Sequence, residues 1–260
     1  MTKVCDILSY IDSLAPNSMK MDWDNTGLLC GHSESCVQRI LVALDPFEQV
    51  CREAVEKKAD LLVTHHPLIF GQGLTAVNDG NETGRALLML AENKIAAINA
   101  HTNLDCAAGG VNDVLADVLG LKDVAAIAFS GKDFGLLRHG YVSEQSLENF
   151  LAHVKSSLSC DGLRYVDGKK PVRHVAVGGG SCGDCIIDAF QAGCDTFVTS
   201  DIKYNQFHSA CALGMNLIDA GHFHTEAPVI HVLAQKLQLA FPNVEVMVSE
   251  NLHDAMKFFA

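Results

Sequence analysis

Short apolar runs alternate with amphipathic segments along most of the chain. The run Arg39–Asp45 predicts a buried strand, and Asp45 followed by Pro46 predicts a helix N-cap with proline at the first helical position. Leu61–Thr64 is the next short apolar run. This order predicts a β-α-β unit, which implies a parallel sheet with a right-handed crossover.

The same alternation continues to the end of the sequence. Further helices are predicted over Arg85–Glu92, from Gly109 and Gly110 to about Leu119, from a Ser143 cap to about Leu158, and over Asp184–Gln191, Tyr204–Leu213 and Thr225–Leu239. Further strands are predicted over Ile95–Asn99, Gly140–Val142, His174–Val177, Thr196–Thr199, Asn216–Asp219 and Val244–Val248. The fold class is therefore α/β with mostly parallel sheets.

The two halves of the chain align with each other without a gap. Shifting Arg39–His66 by 135 positions places it on His174–Asp201, so that Ala54 meets Ala189 and the strand and helix faces coincide. Chance is the alternative, because β-α-β units resemble one another. We favour an internal duplication.

A second similarity lies after the next strand of each half. His101 is followed four residues later by Asp105, and His222 is followed four residues later by Glu226. Both segments come just past a short apolar run. They strengthen the duplication and bring metal-ligand residue types into corresponding places.

Composition and charge exclude several classes of protein. The 260 residues carry a formal net charge of −12, with 48% hydrophobic and 19% charged residues. This is the profile of a globular protein that buries a substantial core. An acidic surface repels phosphate backbones, so general nucleic-acid binding is not expected.

Cysteine usage and hydropathy indicate the compartment. The ten cysteines accompany no signal-peptide pattern, which points to free thiols in a reducing compartment, with the cytoplasm as the default. The sequence contains no run of about 18 apolar residues, so no membrane partner is expected.

The adjacent pair His65 and His66 follows the predicted strand Leu61–Thr64 at its carboxyl end, where open α/β sheets bind ligands. Neighbouring side chains of an extended chain point in opposite directions, so each histidine suits one of two neighbouring ions. Pro67 stiffens the turn. The alternative is a turn with a hydrogen-bonded histidine pair and no metal.

Asp105, His222 and Glu226 complete a candidate two-metal site. They follow the predicted strands Ile95–Asn99 and Asn216–Asp219, so we expect them at the same sheet edge as the histidine pair. Imidazole with carboxylate suits two divalent ions of zinc, iron, manganese, cobalt or nickel, and not calcium.

A two-metal site favours hydrolysis, because paired ions activate water and hold an anionic or carbonyl oxygen. The carboxylates would be occupied as ligands, so the base must come from elsewhere. His101 is the candidate catalytic residue for proton transfer. A metal ligand, a group supporting a ligand, and a substrate contact are its alternative roles.

Five groups of short motifs occur along the chain in the order typical of a known family. They are Trp23–Gly31 (WDNTGLLCG), Val63–Pro67 (VTHHP), Ala100–Asp105 (AHTNLD) with Gly109–Asp113 (GGVND), Thr199–Tyr204 (TSDIKY) and Asp219–Glu226 (DAGHFHTE). The chain resembles the NIF-three-like family of dinuclear-metal proteins, also called GTP cyclohydrolase I type 2 homologues. The resemblance covers nearly the whole chain.

The resemblance implies a ligand set and an assembly. The implied ligands are His65, His66, Asp105, His222 and Glu226, with Glu226 as the bridge. Family members form toroidal homohexamers with the metal sites facing an interior cavity.

The resemblance also implies the NIF-three-like fold: two interlinked, pseudo-repeated α/β lobes with the metal site between them. The first lobe is expected to be 1–125, with 227–260 returning to it, and the second to be 126–226. No inserted domain is expected.

Two features depart from the family pattern: Ser200 stands where the family often has glycine, and the segment that follows the predicted strand His174–Val177 carries a cysteine pair. The glycine-rich turn Gly178–Gly180 leads into Cys182 and Cys185, a Cys-x-x-Cys pair before a predicted helix. The turn could hold phosphate on its amides, with Lys203 as a second phosphate candidate, or be a tight turn and nothing more. The pair could be redox-active or two unrelated thiols. We favour the tight turn and the unrelated thiols.

Three functions follow from the sequence. The first is a metal-dependent hydrolase of a nucleotide-like or other small anionic substrate. The second is a non-catalytic metal-binding scaffold, metal chaperone or regulatory partner. The third is a redox protein that uses Cys182 and Cys185.

Overall fold

The computed structural model describes residues 1–71, 73–128 and 134–259. Within these residues the chain forms two compact units. The first contains residues 1–108 and 230–252, and the second contains residues 109–229 and 253–259.

Helices and strands alternate along the chain. The α-helices are α1 (Val4–Leu14), α2 (Glu48–Glu56), α3 (Glu82–Glu92), α4 (Thr102–Cys106), α5 (Val111–Val118), α6 (Leu147–Ser157), α7 (Ile186–Gln191), α8 (Tyr204–Leu213), α9 (His222–Glu226) and α10 (Pro228–Ala240). The strands are β1 (Gly27–Cys30), β2 (Arg39–Ala43), β3 (Leu61–Thr64), β4 (Ala96–Asn99), β5 (Lys122–Ala126), β6 (Arg138–Gln145), β7 (Arg164–Val166), β8 (Val172–Val177), β9 (Thr196–Thr199), β10 (Asn216–Asp219) and β11 (Glu245–Val248).

The first unit is built on a five-stranded sheet with the order β1-β4-β3-β2-β11. Strands β2, β3, β4 and β11 run parallel, and β1 is antiparallel to β4. Every residue of β3 and β4 is buried. Apolar side chains of α2 and α3, among them Cys51, Ala54 and Leu90, pack on the sheet in one core cluster. The carboxyl ends of β3 and β4 therefore lie side by side on a rigid base.

The second unit is built on a six-stranded sheet with the order β5-β6-β8-β9-β10-β7. Its centre, β8-β9-β10, is parallel, while β6 and β7 join it in antiparallel orientation. One core cluster includes Phe150 and Val198, and another includes Phe197 and Ile186. Neighbouring residues of β9 thus face different clusters, as expected for a strand covered on both faces.

The strand register agrees with the offset seen in the sequence. Ile40 pairs with Leu61 in the first unit, and Val175 pairs with Thr196 in the second. Each residue of the second pair lies 135 positions after its counterpart, the shift on which the predicted duplication rests. Both α/β units have this β-α-β pairing at their centre.

Two predicted helix caps are wrong. Helix α2 begins at Glu48 with Phe47 as its N-cap, so Asp45 does not cap it. Asp45 instead binds a histidine, described below. Ser143 lies inside β6, and the α6 cap is Ser146, whose Oγ accepts from the Asn149 amide at 3.2 Å.

The unit boundaries differ from those expected for the lobes. The expected first lobe, 1–125, includes helix α5, but Leu115 of α5 packs in the same core cluster as Phe150 of α6. Strand β5 pairs with β6 in the second sheet. Residues 253–259 also belong to the second unit, while 230–252 return to the first.

Among the residues that the structure describes, none of the helices combines the length and apolar character needed to cross a bilayer.

Candidate metal centre

Three histidines of the first unit lie close together. His65 and His66 follow β3 directly, and His101 follows the neighbouring strand β4. One ring nitrogen from each lies within 4.8 Å of those of the other two, which is near enough to hold a metal ion. The His65 and His66 rings are 4.9 Å apart, because the extended chain ends at Thr64 and no longer directs neighbouring side chains to opposite sides.

His65 is fully buried and held in one orientation. Its Nδ1 lies 2.9 Å from the Ala100 carbonyl oxygen, which can only accept a hydrogen bond. In a neutral imidazole Nδ1 therefore carries the proton and Nε2 has the lone pair. That Nε2 lies 3.5 Å from Oδ1 of Asp105 on α4. The structure thus brings two predicted ligands of the first unit together.

Carboxylates orient the other two histidines in the same way. His66 Nδ1 lies 2.6 Å from Asp45 Oδ1, and His101 Nδ1 lies 2.8 Å from Asp24 Oδ1. A ligand histidine in a metal site usually donates its second ring N–H to a carboxylate or carbonyl, which fixes the ring and raises its basicity. Each histidine of this cluster meets that condition.

Asp24 is a buried carboxylate with several hydrogen-bond donors. Burial alone would raise its pKa, but hydrogen bonds from His101 and Thr102 outweigh burial and bring the pKa of Asp24 to about 2. The Thr102 amide and hydroxyl donate to Oδ2, at 3.0 and 2.5 Å. The carboxylate is therefore ionised at neutral pH and fixes the position of His101.

The second unit holds two more of the predicted ligands on α9. His222 and Glu226 are four residues apart on this helix, and His222 Nε2 lies 3.0 Å from Glu226 Oε2. His222 Nδ1 lies 2.7 Å from Asp201 Oδ2, so this ring is also oriented by a carboxylate. The Glu226 side chain is buried.

The turn Gly178–Gly180 packs directly against this pair. Gly180 has a φ of +64°, and a Cβ there would collide with the Glu226 carboxylate and lie 3.1 Å from His222 Nε2. The turn's three amides donate within the unit, to Val198 O, Asn112 Oδ1 and Thr225 Oγ1. These bonds favour the tight turn over a phosphate-binding turn.

The cysteine pair does not have the surroundings of a redox centre. Cys182 and Cys185 are both buried, and all ten cysteines are free thiols. Burial raises the pKa of Cys185 to about 11, whereas reactive thiols have a lowered pKa. The structure therefore favours two unrelated thiols.

One expectation about the sheet edge is wrong. Strands β3 and β4 belong to the first sheet and β10 belongs to the second, so the three ligand segments do not follow strands of one sheet. Each segment follows the carboxyl end of a parallel strand within its own unit. The two His-x-x-x-carboxylate segments are also displaced by one residue: His101 precedes α4 as its N-cap, while His222 is the first residue of α9.

Sequence reasoning missed the carboxylates behind the histidines. Asp24 lies within the quoted motif Trp23–Gly31, but its distance of 77 residues from His101 gives no local signal. Asp45 was interpreted as a helix cap. Asp201 occupies the position equivalent to His66 under the 135-residue shift. The alignment of the two halves therefore drew attention to this position but did not indicate that Asp201 orients a histidine.

The donor set fits a transition metal. Imidazole nitrogens with buried carboxylate oxygens suit zinc, iron, manganese, cobalt or nickel, and the second ring nitrogen of each candidate histidine is engaged by an oxygen. Fold and site together define an α/β protein with clustered histidine, aspartate and glutamate groups that could hold a metal ion.

Comparison with known proteins gives the same class. The family model described as Duf34/NIF3 (NGG1p interacting factor 3) matches residues 2–254, so the chain belongs to the Duf34/NIF3 family. A Clostridium perfringens protein named GTP cyclohydrolase 1 type 2 homolog is 34% identical over 261 residues, covering 98% of this chain and 99% of that protein.

Solved structures confirm the fold. The crystal structure of a Bacillus cereus protein related to NIF3 superimposes with a TM-score of 0.93 at 26% identity, covering 100% of this chain and 99% of that one. A hypothetical protein of Staphylococcus aureus gives a TM-score of 0.89 at 30% identity, with 99% of each chain covered. The resemblance drawn from the motifs and the α/β fold are both confirmed.

The support for His101 gives a testable prediction. In Asp24→Asn the negative charge is lost, and only one oxygen remains to accept from His101 and Thr102. With His101 as the candidate for proton transfer, we expect turnover to fall by about 100-fold or more while metal affinity stays unchanged. Steady-state kinetics of the metal-loaded protein and calorimetric titration of metal-stripped protein measure the two quantities. The exposed Asp79→Asn is the matched control, and equal turnover in the two variants, or a loss of metal affinity in Asp24→Asn alone, would contradict the role given to Asp24.

Proposed function

We propose that this chain is a dinuclear-metal protein that hydrolyses a nucleotide-like or other small anionic substrate. The proposed ligands are His65, His66, Asp105, His222 and Glu226, and the proposed ions are two divalent cations of zinc, iron, manganese, cobalt or nickel. The motif resemblance and the names of the curated relatives, GTP cyclohydrolase 1 type 2 homolog, support the reaction class.

The observation that carries the proposal is the orientation of the histidine rings. His65, His66 and His101 each have Nδ1 engaged by an oxygen, and their cluster is compact enough for a metal ion. Fixing three polar rings beside one another costs free energy. Binding of an ion or a proton at their Nε2 atoms would offset that cost. When bound, the ions would lower the pKa of water and polarise an oxygen of the substrate.

We assign proton transfer to His101. Its Nδ1 donates to the ionised Asp24, so Nε2 can accept a proton while the carboxylate stabilises the resulting imidazolium. Among the ion pairs described, His65 Nε2 lies beside the predicted ligand Asp105, whereas His101 Nε2 lies beside no predicted ligand carboxylate. A ligand role for His101 is the alternative, and His101→Ala separates the two. Retained metal with lost turnover supports proton transfer, and lost metal supports ligation.

Hydrolysis itself is tested by metal dependence. Metal-stripped protein, reloaded with each candidate ion in turn, should turn over GTP or a phosphoester from a nucleotide panel. Glu226→Gln should lower that turnover by at least about 100-fold, because a buried ligand charge is lost. Glu245→Gln, in an exposed position of β11, is the matched control. Absence of turnover with every ion and substrate class, or turnover that survives chelation, would refute the hydrolase proposal.

A metal-holding scaffold or chaperone is the second candidate. The His222 side chain is 37% exposed, so a ligand nitrogen lies within reach of an acceptor molecule. Transfer of bound metal to an acceptor chelator, with no turnover of any substrate, would favour this function.

We also propose a cellular compartment and an assembly for this protein. A cytoplasmic location is supported by the ten free cysteines, which suit a reducing compartment. Assembly as a homohexamer is supported by the family resemblance.

A further inference from the structure

Two large aromatic side chains are exposed beside the histidine cluster of the first unit. The Trp23 side chain is 60% exposed and that of Phe70 is 59% exposed. Their ring centroids are 5.8 Å apart and their planes lie at 77°. Exposed rings of this size lose the free energy that burial would contribute, so a pair of them in one place points to an interaction site.

The pair adjoins the residues assigned to the reaction. The Trp23 ring lies 6.1 Å from the His101 ring and the Phe70 ring lies 6.0 Å from it, at 74° and 77°. His101 is in turn 5.2 Å from the His65 ring and 5.5 Å from the His66 ring. The rings of Trp23, Phe70 and His101 therefore lie at the corners of a triangle, and the aromatic pair is next to the histidine of the cluster that is assigned to proton transfer.

Backbone contacts hold the two rings in place. Trp23 immediately precedes the buried Asp24, which is anchored by Thr102 and His101. The Asn25 side-chain amide donates to the Ile69 carbonyl at 2.9 Å, and this bond ties the Trp23 segment to the Phe70 segment. The segments that carry the two rings are thus tied to each other and to the His101 segment, which limits the backbone ordering that ligand binding would require.

We infer that Trp23 and Phe70 bind a nucleobase of the substrate by aromatic contact and hold it beside His101. Edge-to-face rings present two perpendicular surfaces, and a planar ring can stack on one face while its edge meets the other. A sugar phosphate without a base has no planar ring to stack on these surfaces and should gain less from them. The inference rests on the proposed function and deepens it, since it assigns the base-binding residues of the nucleotide-like substrate.

Trp23 is the single tryptophan of the chain, so the tryptophan fluorescence of the protein comes from the proposed base-binding site alone. Tryptophan emission of the full-length protein is titrated with guanosine, adenosine and cytidine monophosphates, and with ribose 5-phosphate as the ligand lacking a base. Absorption by the nucleotide is corrected. We expect saturable quenching by at least one nucleotide and none by ribose 5-phosphate. Quenching by no nucleotide, or equal quenching by ribose 5-phosphate, would overturn the inference.

Variants at Phe70 separate stacking from general apolar contact. Phe70→Leu keeps an apolar side chain without the ring and should weaken nucleotide binding by roughly tenfold, within the range for loss of one stacking contact. Phe70→Tyr keeps the ring and should restore binding. Tyr165→Leu removes a comparably exposed ring from the second unit and is the matched control. Equal dissociation constants for Phe70→Leu and the wild type would also overturn the inference.

The two proposals fail in different ways. In Phe70→Leu, KM should rise with little change in kcat, whereas Glu226→Gln should lose kcat and keep the fluorescence response. Base-dependent quenching without any turnover would leave the base-binding site standing and refute the hydrolase. Turnover with no base-dependent quenching would do the opposite.

Discussion

Protein carrying His65→Ala is expected to lose its bound metal. His65 is fully buried, and its Nδ1 bond to the Ala100 carbonyl directs Nε2 towards Asp105. Removing the ring deletes a proposed ligand and leaves that carboxylate without its imidazole neighbour. The loss of affinity should exceed the roughly 100-fold that is the upper range for losing a supporting group alone. Metal content after dialysis and calorimetric titration measure it.

Two controls protect this result from a folding artefact. His66→Ala should lower metal affinity in the same way, and its side chain is only partly buried, so the cavity cost is smaller. The exposed His231→Ala should leave metal content unchanged. Normal metal content in both His65→Ala and His66→Ala, with both variants folded by circular dichroism, would contradict their assignment as ligands.

Gly180→Ala is expected to disturb His222 and Glu226, the proposed ligand pair of the second unit. At a φ of +64° an L side chain costs about 1–2 kcal/mol, and here its Cβ would also displace the Glu226 carboxylate. The Glu226 side chain is buried, so there is little open space into which its carboxylate can move. We expect metal content to fall along with the thermal unfolding midpoint.

Gly214→Ala is the matched control for this variant. Gly214 has a φ of +61° at the end of α8, and the nearest atom to an added Cβ is 3.6 Å away. It should therefore lower the free energy of unfolding by a similar backbone cost without changing metal content. If Gly180→Ala kept full metal content, or if Gly214→Ala lost as much metal, the contact between the glycine turn and Glu226 would not support the site.

The bounds of the buried parallel strands β3, β9 and β10 were predictable to the residue, whereas β2 and β4 are shorter than predicted. Thr196–Thr199 and Asn216–Asp219 are short apolar runs that end in polar turns, and the structure has both with these bounds. Their burial on both faces requires apolar or paired residues at every position. The exposed edge strands β5 and β7 give no such signal. All five residues of Lys122–Ala126 are exposed, and two of the three residues of Arg164–Val166 are exposed, so neither strand was predicted.

Polar residues with distant partners were the hardest to interpret. Asp45 before Pro46 has the pattern of a helix cap, but His66 is its partner, and local propensity cannot report a contact 21 residues away. The rule that parallel strands share a ligand-binding edge holds within one sheet. It could not reveal that His222 and Glu226 follow a strand of a second sheet. The candidate ligands were therefore identifiable, and the groups that orient them were not.

The proposed dinuclear centre is tested most directly by measuring the number of metal ions that one chain binds. Metal-stripped wild-type protein titrated with Zn²⁺, and separately with Mn²⁺, should bind two equivalents per chain, and neither His65→Ala nor Gly180→Ala should reach that number. Binding of no metal by the wild type, or the same two equivalents in both variants, would contradict a dinuclear centre at these residues.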